Sequence, residues 1–465
     1  MWEGLAILLP AIQGPEIDAI IPLVTLGSDL ASSLEIIIPV FLMAIFTAAF
    51  VSSRTKIPYT IVLVAIGIGL SIFNLAGLKI VNIEDFRIDP KLIIDFIVPP
   101  LIFEAMMRVD YQEFKKIRIS AMLLATIGVL VATLVGGFLL MYLAGLPFLV
   151  AFAFSALISP TDAAMVIEIF KKVKVPALLA NLMESEASFN DATGAIAFSS
   201  IIAIALGTGS TVLGSFLPTG AGINPSSISS GLGGAVSTVL FEAELFAIEF
   251  FGGAGIGLAV AAASHRLHVL MNDPFSEIAL TVATVFGAAI LSNSLGLSGL
   301  VAAATAGLYF GNITIRKETV MTAKVRISAF SFWETIAFFS SSAVFLYLGV
   351  TIDIATVGQN ILLIIIAFVS VLIARAVSSY AILTGITKLT KENIPMSWRH
   401  VAMLGSMRGA ISVALAASLP ESDFRNTILS ITFGVVLSSL IIQYIVLSKY
   451  VQRKFVPFEA SVGEQ

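Results

Sequence analysis

The sequence predicts an all-α polytopic membrane protein, and its composition, its apolar stretches and its charge placement support this prediction. Of 465 residues, 58% are hydrophobic and 12% are charged, whereas about a quarter of the residues in soluble domains are charged. The mean hydropathy is +1.00. Because a membrane-spanning helix needs about 20 apolar residues, the chain has room for about a dozen spans and for little else.

Thirteen apolar stretches have helical length, so we expect about 13 transmembrane helices. The eighth and ninth stretches are the least clearly separated, since only SNSLGLS lies between them. The stretches cover approximately residues 30–51, 57–78, 92–109, 119–144, 147–170, 178–206, 238–263, 275–293, 296–312, 328–350, 359–386, 399–420 and 427–450.

The positions of the basic residues predict the orientation, because short cytoplasmic loops carry an excess of Lys and Arg. With the N-terminus outside, 20 of the 26 basic residues fall on the inner side and four on the outer side. The remaining two, Arg375 and Arg408, fall within spans. We therefore predict an N-out, C-in topology.

An uncharged segment rich in Gly and Ser, residues 207–237, separates six spans from seven. Its composition favours a flexible linker. The division permits two inverted-topology repeats, which are common in secondary transporters. We expect one integral transporter domain over residues 1–465.

Ionisable residues within the apolar stretches are the most informative feature, because each costs about 2.5–3.5 kcal/mol to insert into a bilayer. Such residues face a cavity or a partner rather than lipid. Six of these residues, five carboxylates and one guanidinium, guide the functional interpretation: Glu104, Asp162, Glu184, Glu186, Asp191 and Arg408.

Two spans contain residues that interrupt helices. Pro160 lies near the middle of the fifth span, and Gly405 and Gly409 loosen the twelfth. A proline kink is the simpler interpretation, but Asp162 beside it favours a break that exposes backbone polar groups in a protein-lined cavity. Crossed broken helices beside carboxylates form suitable cation sites.

The sixth span contains polar groups on two adjoining helical faces. Glu184 and Asp191 are seven residues apart and share one face, and Glu186 and Asn190, four apart, share the next. Carboxylate oxygens suit hard cations such as sodium, and they also bind protons. The sequence therefore predicts a site at which a metal ion and protons compete.

Five motifs together resemble the monovalent cation:proton antiporter superfamily. The similarity is to its electroneutral sodium/proton branch, which contains NhaP-type antiporters and animal sodium/proton exchangers. The motifs are PPLIFEA at 99–105, SPTDAA at 159–164, ESEASFNDA at 184–192, FWETIAFFSSSAVFLYLG at 332–349 and GSMRGAIS at 405–412.

The resemblance implies roles for individual positions. Asp191 matches the essential aspartate that binds the ion and the proton, and Asn190 matches the asparagine that marks the electroneutral branch. Thr161 and Asp162 match the unwound stretch that lines the ion site, and Glu104 matches an acidic residue that helps to coordinate the cation.

The resemblance also implies a structural ion pair between Glu186 and Arg408. Removing either partner of a buried pair leaves an uncompensated charge. Sequence spacing leaves open whether Glu184 or Glu186 contacts Arg408.

The chain departs from the family at Ala187, where NhaP-type proteins often have a serine that binds the cation. Ser188, Ser185 or water would then supply the missing oxygen ligand. This departure leaves the choice between sodium and potassium open.

Together these features predict an electroneutral sodium(lithium)/proton antiporter that works by alternating access. The transported sodium would bind at Asp191, Asp162 and Glu104. The whole cation/proton site would comprise these three residues with Thr161, Asn190 and Ser188. Helices at about 119–206 and 359–450 would move against scaffold and dimerisation helices at about 30–109 and 238–350.

We expect no cofactor and no nucleic-acid partner, and the substrates would be sodium or lithium and protons. The resemblance implies a homodimer in the bilayer of a prokaryotic cell (inner) membrane. A potassium/proton antiporter is the nearest alternative, and a cation channel is the next. An intramembrane enzyme is least favoured, because the sequence contains no HExxH or GxSxG motif.

Overall fold

The apolar stretches form helices in the computed structural model of the chain. It describes residues 37–55, 57–75, 92–109, 111–206, 231–271, 273–315, 322–352, 354–390, 392, 394–419 and 424–455. Each of the thirteen stretches contains helical residues within these ranges. The sequence therefore located the helices well.

The described helices follow one another from α1 to α18 along the chain. The first nine are α1 (Ile37–Thr55), α2 (Tyr59–Leu75), α3 (Val98–Arg108), α4 (Tyr111–Leu123), α5 (Val129–Ala144), α6 (Phe148–Ile158), α7 (Ala163–Phe170), α8 (Ala177–Leu206) and α9 (Gly231–His268). The others are α10 (Pro274–Ser294), α11 (Gly299–Tyr309), α12 (Ala323–Thr351), α13 (Ile354–Gln359), α14 (Ile361–Leu389), α15 (Met396–Leu404), α16 (Ala410–Ala417), α17 (Arg425–Ser438) and α18 (Tyr444–Lys454).

Among the described residues, four π-helical turns interrupt or extend these helices. Two join neighbouring helices into long continuous elements, α4 to α5 and α17 to α18. The turns are Ile93–Ile97, Leu124–Gly128, Phe310–Thr314 and Ser439–Gln443.

Among the described residues, seven helical segments are long and apolar enough to cross a membrane. They are Ile37–Thr55, Phe114–Ala144, Ala247–His268, Pro274–Ser294, Ala323–Thr351, Ile361–Leu389 and Arg425–Lys454. The total of thirteen spans, the inverted repeats and the N-out orientation remain predictions.

The structure separates the eighth and ninth stretches, whose division is the least clear in the sequence. Gly296 has a φ of 69°, a left-handed conformation that favours glycine. The Ser298 side chain then accepts a hydrogen bond from the Val301 amide and caps α11. The two stretches are therefore separate helices.

The chain packs as two compact units. The first comprises residues 1–88 and 345–351, and it contains α1 and α2, with Leu63 and Val64 buried in α2. The second comprises residues 89–344 and 352–465 and contains every candidate site residue. The expected division into a moving core and a scaffold remains a prediction. Most of the expected linker, residues 207–230, lies outside the described residues.

An aromatic cluster at one part of the second unit fixes α3 against α12. The ring centroid of Phe103 lies 4.7 Å from that of Trp333 and 5.9 Å from that of Phe310, and all three side chains are buried. The indole nitrogen of Trp333 donates to the Thr281 hydroxyl at 3.0 Å. This packing determines where the carboxylates on α3 and α12 lie.

Candidate ion-binding site

Both expected helix breaks are present, and they contact each other. Residues 159–162 separate α6 from α7, and residues 405–409 separate α15 from α16. The Asp162 amide donates to the Met407 carbonyl at 2.8 Å. The broken backbone therefore finds part of its hydrogen bonding in the other break, as buried backbone requires.

Arg408 satisfies carbonyl groups that the first break leaves open. Its Nη1 donates to the carbonyls of Ser159 at 2.7 Å and Pro160 at 3.1 Å. Its amide donates to the Ser439 hydroxyl at 3.1 Å. Because Arg408 is only 2% exposed, it acts as a buried clamp on the backbone of the break.

The predicted pairing of Glu186 with Arg408 is wrong, because Glu186 pairs with Arg375. Nη1 and Nη2 of Arg375 each lie 3.0 Å from a carboxylate oxygen of Glu186, a bidentate geometry. Arg375 also donates to the Ala402 carbonyl from Nε at 3.2 Å and from Nη2 at 3.1 Å. Both partners of this ion pair are buried.

No motif in the sequence indicates a role for Arg375, but its position within a span is a usable signal. Arg375 and Arg408 are the two basic residues that fall within spans. Charged side chains within a membrane pair with an opposite charge or with backbone carbonyls, so each arginine is expected to have such a partner. Spacing along the chain could not decide which of the two reaches Glu186.

Asn190 connects this ion pair to the first break. Its Oδ1 accepts from the Thr161 amide at 3.1 Å, and its Nδ2 donates to the Thr161 hydroxyl at 2.8 Å and to Glu186 Oε1 at 2.6 Å. Asn190, Thr161 and Glu186 are all buried. The amide donates and accepts at once, which an aspartate carboxylate could not do.

Asp191 and Asp162 are the partly exposed carboxylates beside this buried network. Asp191 lies within electrostatic range of both Asp162 and Glu186. The structure thus brings together Asp191, Asp162, Thr161 and Asn190, as expected from the sequence. Carboxylates at a helix break suit a hard monovalent cation or a proton.

Ser188 lies on α8 between Glu184 and Asp191 and is buried. Its hydroxyl donates to the Glu184 carbonyl at 2.8 Å, which leaves the oxygen lone pairs available as acceptors. The hydroxyl of Ser185 is buried and has no hydrogen-bond partner among the described residues. Because its hydroxyl oxygen can still accept, Ser188 remains a candidate oxygen ligand.

Glu104 is placed differently from expectation. It pairs with Arg108 one helical turn away, and Arg108 Nη2 lies 3.3 Å from Glu334. Within the described ranges, no three Asp, Glu or His side chains come together as a metal-binding group. Glu104, Asp162 and Asp191 therefore do not form a preassembled three-carboxylate site.

Gly409 keeps the two breaks in close contact. A methyl group at this position would lie 2.5 Å from Cβ and 2.7 Å from Oδ2 of Asp162. We expect Gly409→Ala to lower the free energy of unfolding by about 1–3 kcal/mol, the usual cost of overpacking. Thermal unfolding in detergent measures this change.

The control is Gly385→Ala on α14, where the added methyl would meet no atom of the described residues within 4 Å, apart from its chain neighbours and its own helix backbone. Its stability should be unchanged or slightly raised. Equal unfolding temperatures for the two variants would contradict the close approach at Gly409.

Two broken helices in contact, with carboxylates beside them, define a polytopic membrane protein of the transporter class. Residues 40–453 match the family described as "Sodium/hydrogen exchanger, transmembrane". The chain belongs to this family and is an integral, multi-pass membrane protein.

Individual relatives agree with this assignment. The chain is 33% identical to the Na(+)/H(+) antiporter ApNhaP of Aphanothece halophytica over 86% of this chain and 70% of that protein. It is 27% identical to the sodium, potassium, lithium and rubidium/H(+) antiporter of Bacillus pumilus over 86% of this chain and 58% of that protein.

A solved structure is similar in fold. The sodium proton antiporter MjNhaP1 from Methanocaldococcus jannaschii superposes with a TM-score of 0.72 at 19% identity. The similarity covers 91% of this chain and 99% of the other. This likeness supports the all-α polytopic fold.

Proposed function

We propose that this protein exchanges sodium for protons without net charge transfer, by alternating access to one site. The observation that carries the proposal is the pair of partly exposed aspartates, Asp162 and Asp191, beside a buried and internally paired network. The choice of sodium and protons as the exchanged ions is supported by relatives that are named sodium/proton antiporters.

The charges around the breaks support one-for-one exchange. Three carboxylates, those of Asp162, Glu186 and Asp191, lie with two guanidinium groups, those of Arg375 and Arg408. With all five groups ionised, the net charge is −1. One sodium ion or one proton neutralises it, so either form crosses with no uncompensated charge.

The same charge count provides the coupling. An empty site would move a net negative charge through a low-dielectric region, which is costly. A site loaded with sodium or with a proton avoids this cost. The core helices would therefore move only when loaded, and proton binding on one side would displace the sodium released there.

The proposed cation ligands are the carboxylates of Asp191 and Asp162 and the oxygens of Thr161 and Ser188. Glu186 is committed to Arg375 and serves as a structural partner. Glu104 would join the ligands only after leaving Arg108. No cofactor is needed, since both transported species bind directly to oxygen atoms.

Electroneutrality is tested in proteoliposomes with sodium uptake measured at zero pH gradient and an imposed membrane potential. The potential is worth about 2.3 kcal/mol per charge per 100 mV, so an electrogenic exchanger would respond strongly. We expect no response to the potential. One pH unit should support about a tenfold sodium gradient. Potential-driven uptake would contradict the one-for-one exchange.

A potassium/proton antiporter is the second candidate, and two observations favour testing it. Ala187 stands where NhaP-type proteins often have a cation-binding serine, and one relative is named for potassium as well as sodium. Counterflow with sodium, lithium and potassium at several pH values distinguishes the two. A channel would show neither saturation nor coupled proton movement.

A further inference from the structure

Arg108 joins an enclosed carboxylate to an exposed one. Its Nε donates to Glu104 Oε1, and its Nη2 lies 3.3 Å from Glu334 Oε1. Side-chain exposure rises along this series, from 14% for Glu104 through 39% for Arg108 to 66% for Glu334. The guanidinium thus lies between the interior and the surface.

The two carboxylates are attached to elements that are fixed relative to each other. Phe103 and Trp333, the neighbours of Glu104 and Glu334, pack with centroids 4.7 Å apart in the buried aromatic cluster. The long arginine side chain is the movable part. Its planar fork can pair with either carboxylate or with both.

Arg108 pairs with Glu104, and Glu104 is the carboxylate that the family resemblance assigns to cation coordination. A bound guanidinium neutralises Glu104 and occupies oxygen lone pairs that a metal ion would need. Glu184, which shares a helical face with Asp191, lies within electrostatic range of both Arg108 and Glu104. Arg108 is therefore a positively charged side chain within electrostatic range of Glu184, on the helical face that also contains Asp191.

We propose that Arg108 is a positioning residue that sets the sodium affinity of the exchanger. It holds Glu104 in an ion pair that the transported cation must displace, and Glu334 draws the guanidinium toward the surface. This inference rests on the proposed function, and it explains why Glu104 is not gathered with the two aspartates.

The test measures the KM for sodium and the maximal exchange rate in proteoliposomes. Arg108→Gln should lower the KM about fivefold, the factor that corresponds to the loss of an ion pair worth ~1 kcal/mol. Glu334→Gln should raise the KM, because the guanidinium then rests on Glu104 alone. Arg108→Lys keeps the charge and should lie closer to the wild type than Arg108→Gln.

The double variant Arg108→Gln with Glu334→Gln separates the proposed link from a general charge effect. If Glu334 acts through Arg108, the double variant should have the KM of Arg108→Gln. Additive changes would overturn the inference. Opposite shifts of the two single variants are not expected from a merely structural role.

Arg118→Gln on α4 is the matched control, since it removes an exposed positive charge from a residue outside the site. Equal KM values for Arg108→Gln and Arg118→Gln would overturn the inference. If Arg108→Gln fails to fold, an unchanged or lowered KM in Glu334→Gln overturns it instead. Absence of exchange by the wild type in the same vesicles would contradict the proposed function, which is a separate outcome.

Discussion

Asp191→Asn is expected to reduce sodium/proton exchange to the level of empty vesicles while the protein still folds. Asparagine keeps the shape of aspartate but cannot take up a proton or supply a negative charge. Because Asp191 lies within electrostatic range of Asp162 and Glu186, its neutralisation relieves repulsion. The unfolding temperature should therefore be unchanged or raised.

Sodium binding gives a readout that is independent of transport. A ligand that binds only the folded state stabilises it by ~2.7 kcal/mol at a hundredfold excess over the Kd. Sodium should raise the unfolding temperature of the wild type but not that of Asp191→Asn.

Asp273→Asn is the control for this substitution. Asp273 is exposed and caps α10 by accepting a hydrogen bond from the Ser276 amide at 2.9 Å. Asparagine caps helices about as well as aspartate, so exchange and sodium stabilisation should persist. Normal transport by the Asp191→Asn variant would show that Asp191 has no part in the mechanism.

Glu186→Gln is expected to lower the free energy of unfolding by about 3–5 kcal/mol, the usual cost of breaking a buried ion pair. The substitution leaves the buried Arg375 guanidinium without its bidentate carboxylate. Thermal unfolding in detergent measures the loss. Combining Glu186→Gln with Arg375→Met should destabilise less than the sum of the two single substitutions, because no buried charge is then left unpaired.

An exposed ion pair of the same kind provides the comparison. Glu168 lies 3.4 Å from Lys172, and the two side chains are 48% and 53% exposed. Glu168→Gln should change stability by less than about 1 kcal/mol, as is typical of surface pairs. Equal destabilisation by Glu186→Gln and Glu168→Gln would show that the buried pair has no special role.

The helix breaks could be predicted because their causes are local. Pro160 removes a backbone donor, and Gly405 and Gly409 weaken the helix at the second break. The structure breaks the helices at both places. The first break determines the positions of the Thr161 and Asp162 side chains, and helix α8, which contacts it, determines those of Asn190 and Asp191.

The pairing of Glu186 could not be predicted in the same way. Helical spacing puts Glu186 beside Asn190, and the structure confirms this contact at 2.6 Å. Which arginine approaches from another helix depends on how α14 packs against α15. Arg375 is anchored there by the Ala402 carbonyl, and Arg408 is held by carbonyls of the first break.

The contacts around Glu104 include one that helical spacing specifies and one that only tertiary packing creates. Its pairing with Arg108 is a local contact, since residues four apart on a helix are neighbours. The third member, Glu334, comes from a helix more than 200 residues later in the chain. Only the packing of α3 against α12 makes this contact possible.

The sequence by itself determined the class of membrane protein, the helical stretches, the two breaks and the carboxylates beside them. These features depend on composition, on helical periodicity and on the backbone chemistry of Pro and Gly. Only the tertiary structure decided that Arg375 pairs with Glu186, that Arg408 contacts the carbonyls of a broken backbone, and that Glu334 reaches Arg108. Ion pairs between helices depend on distances of a few ångströms, and spacing along the chain does not specify them.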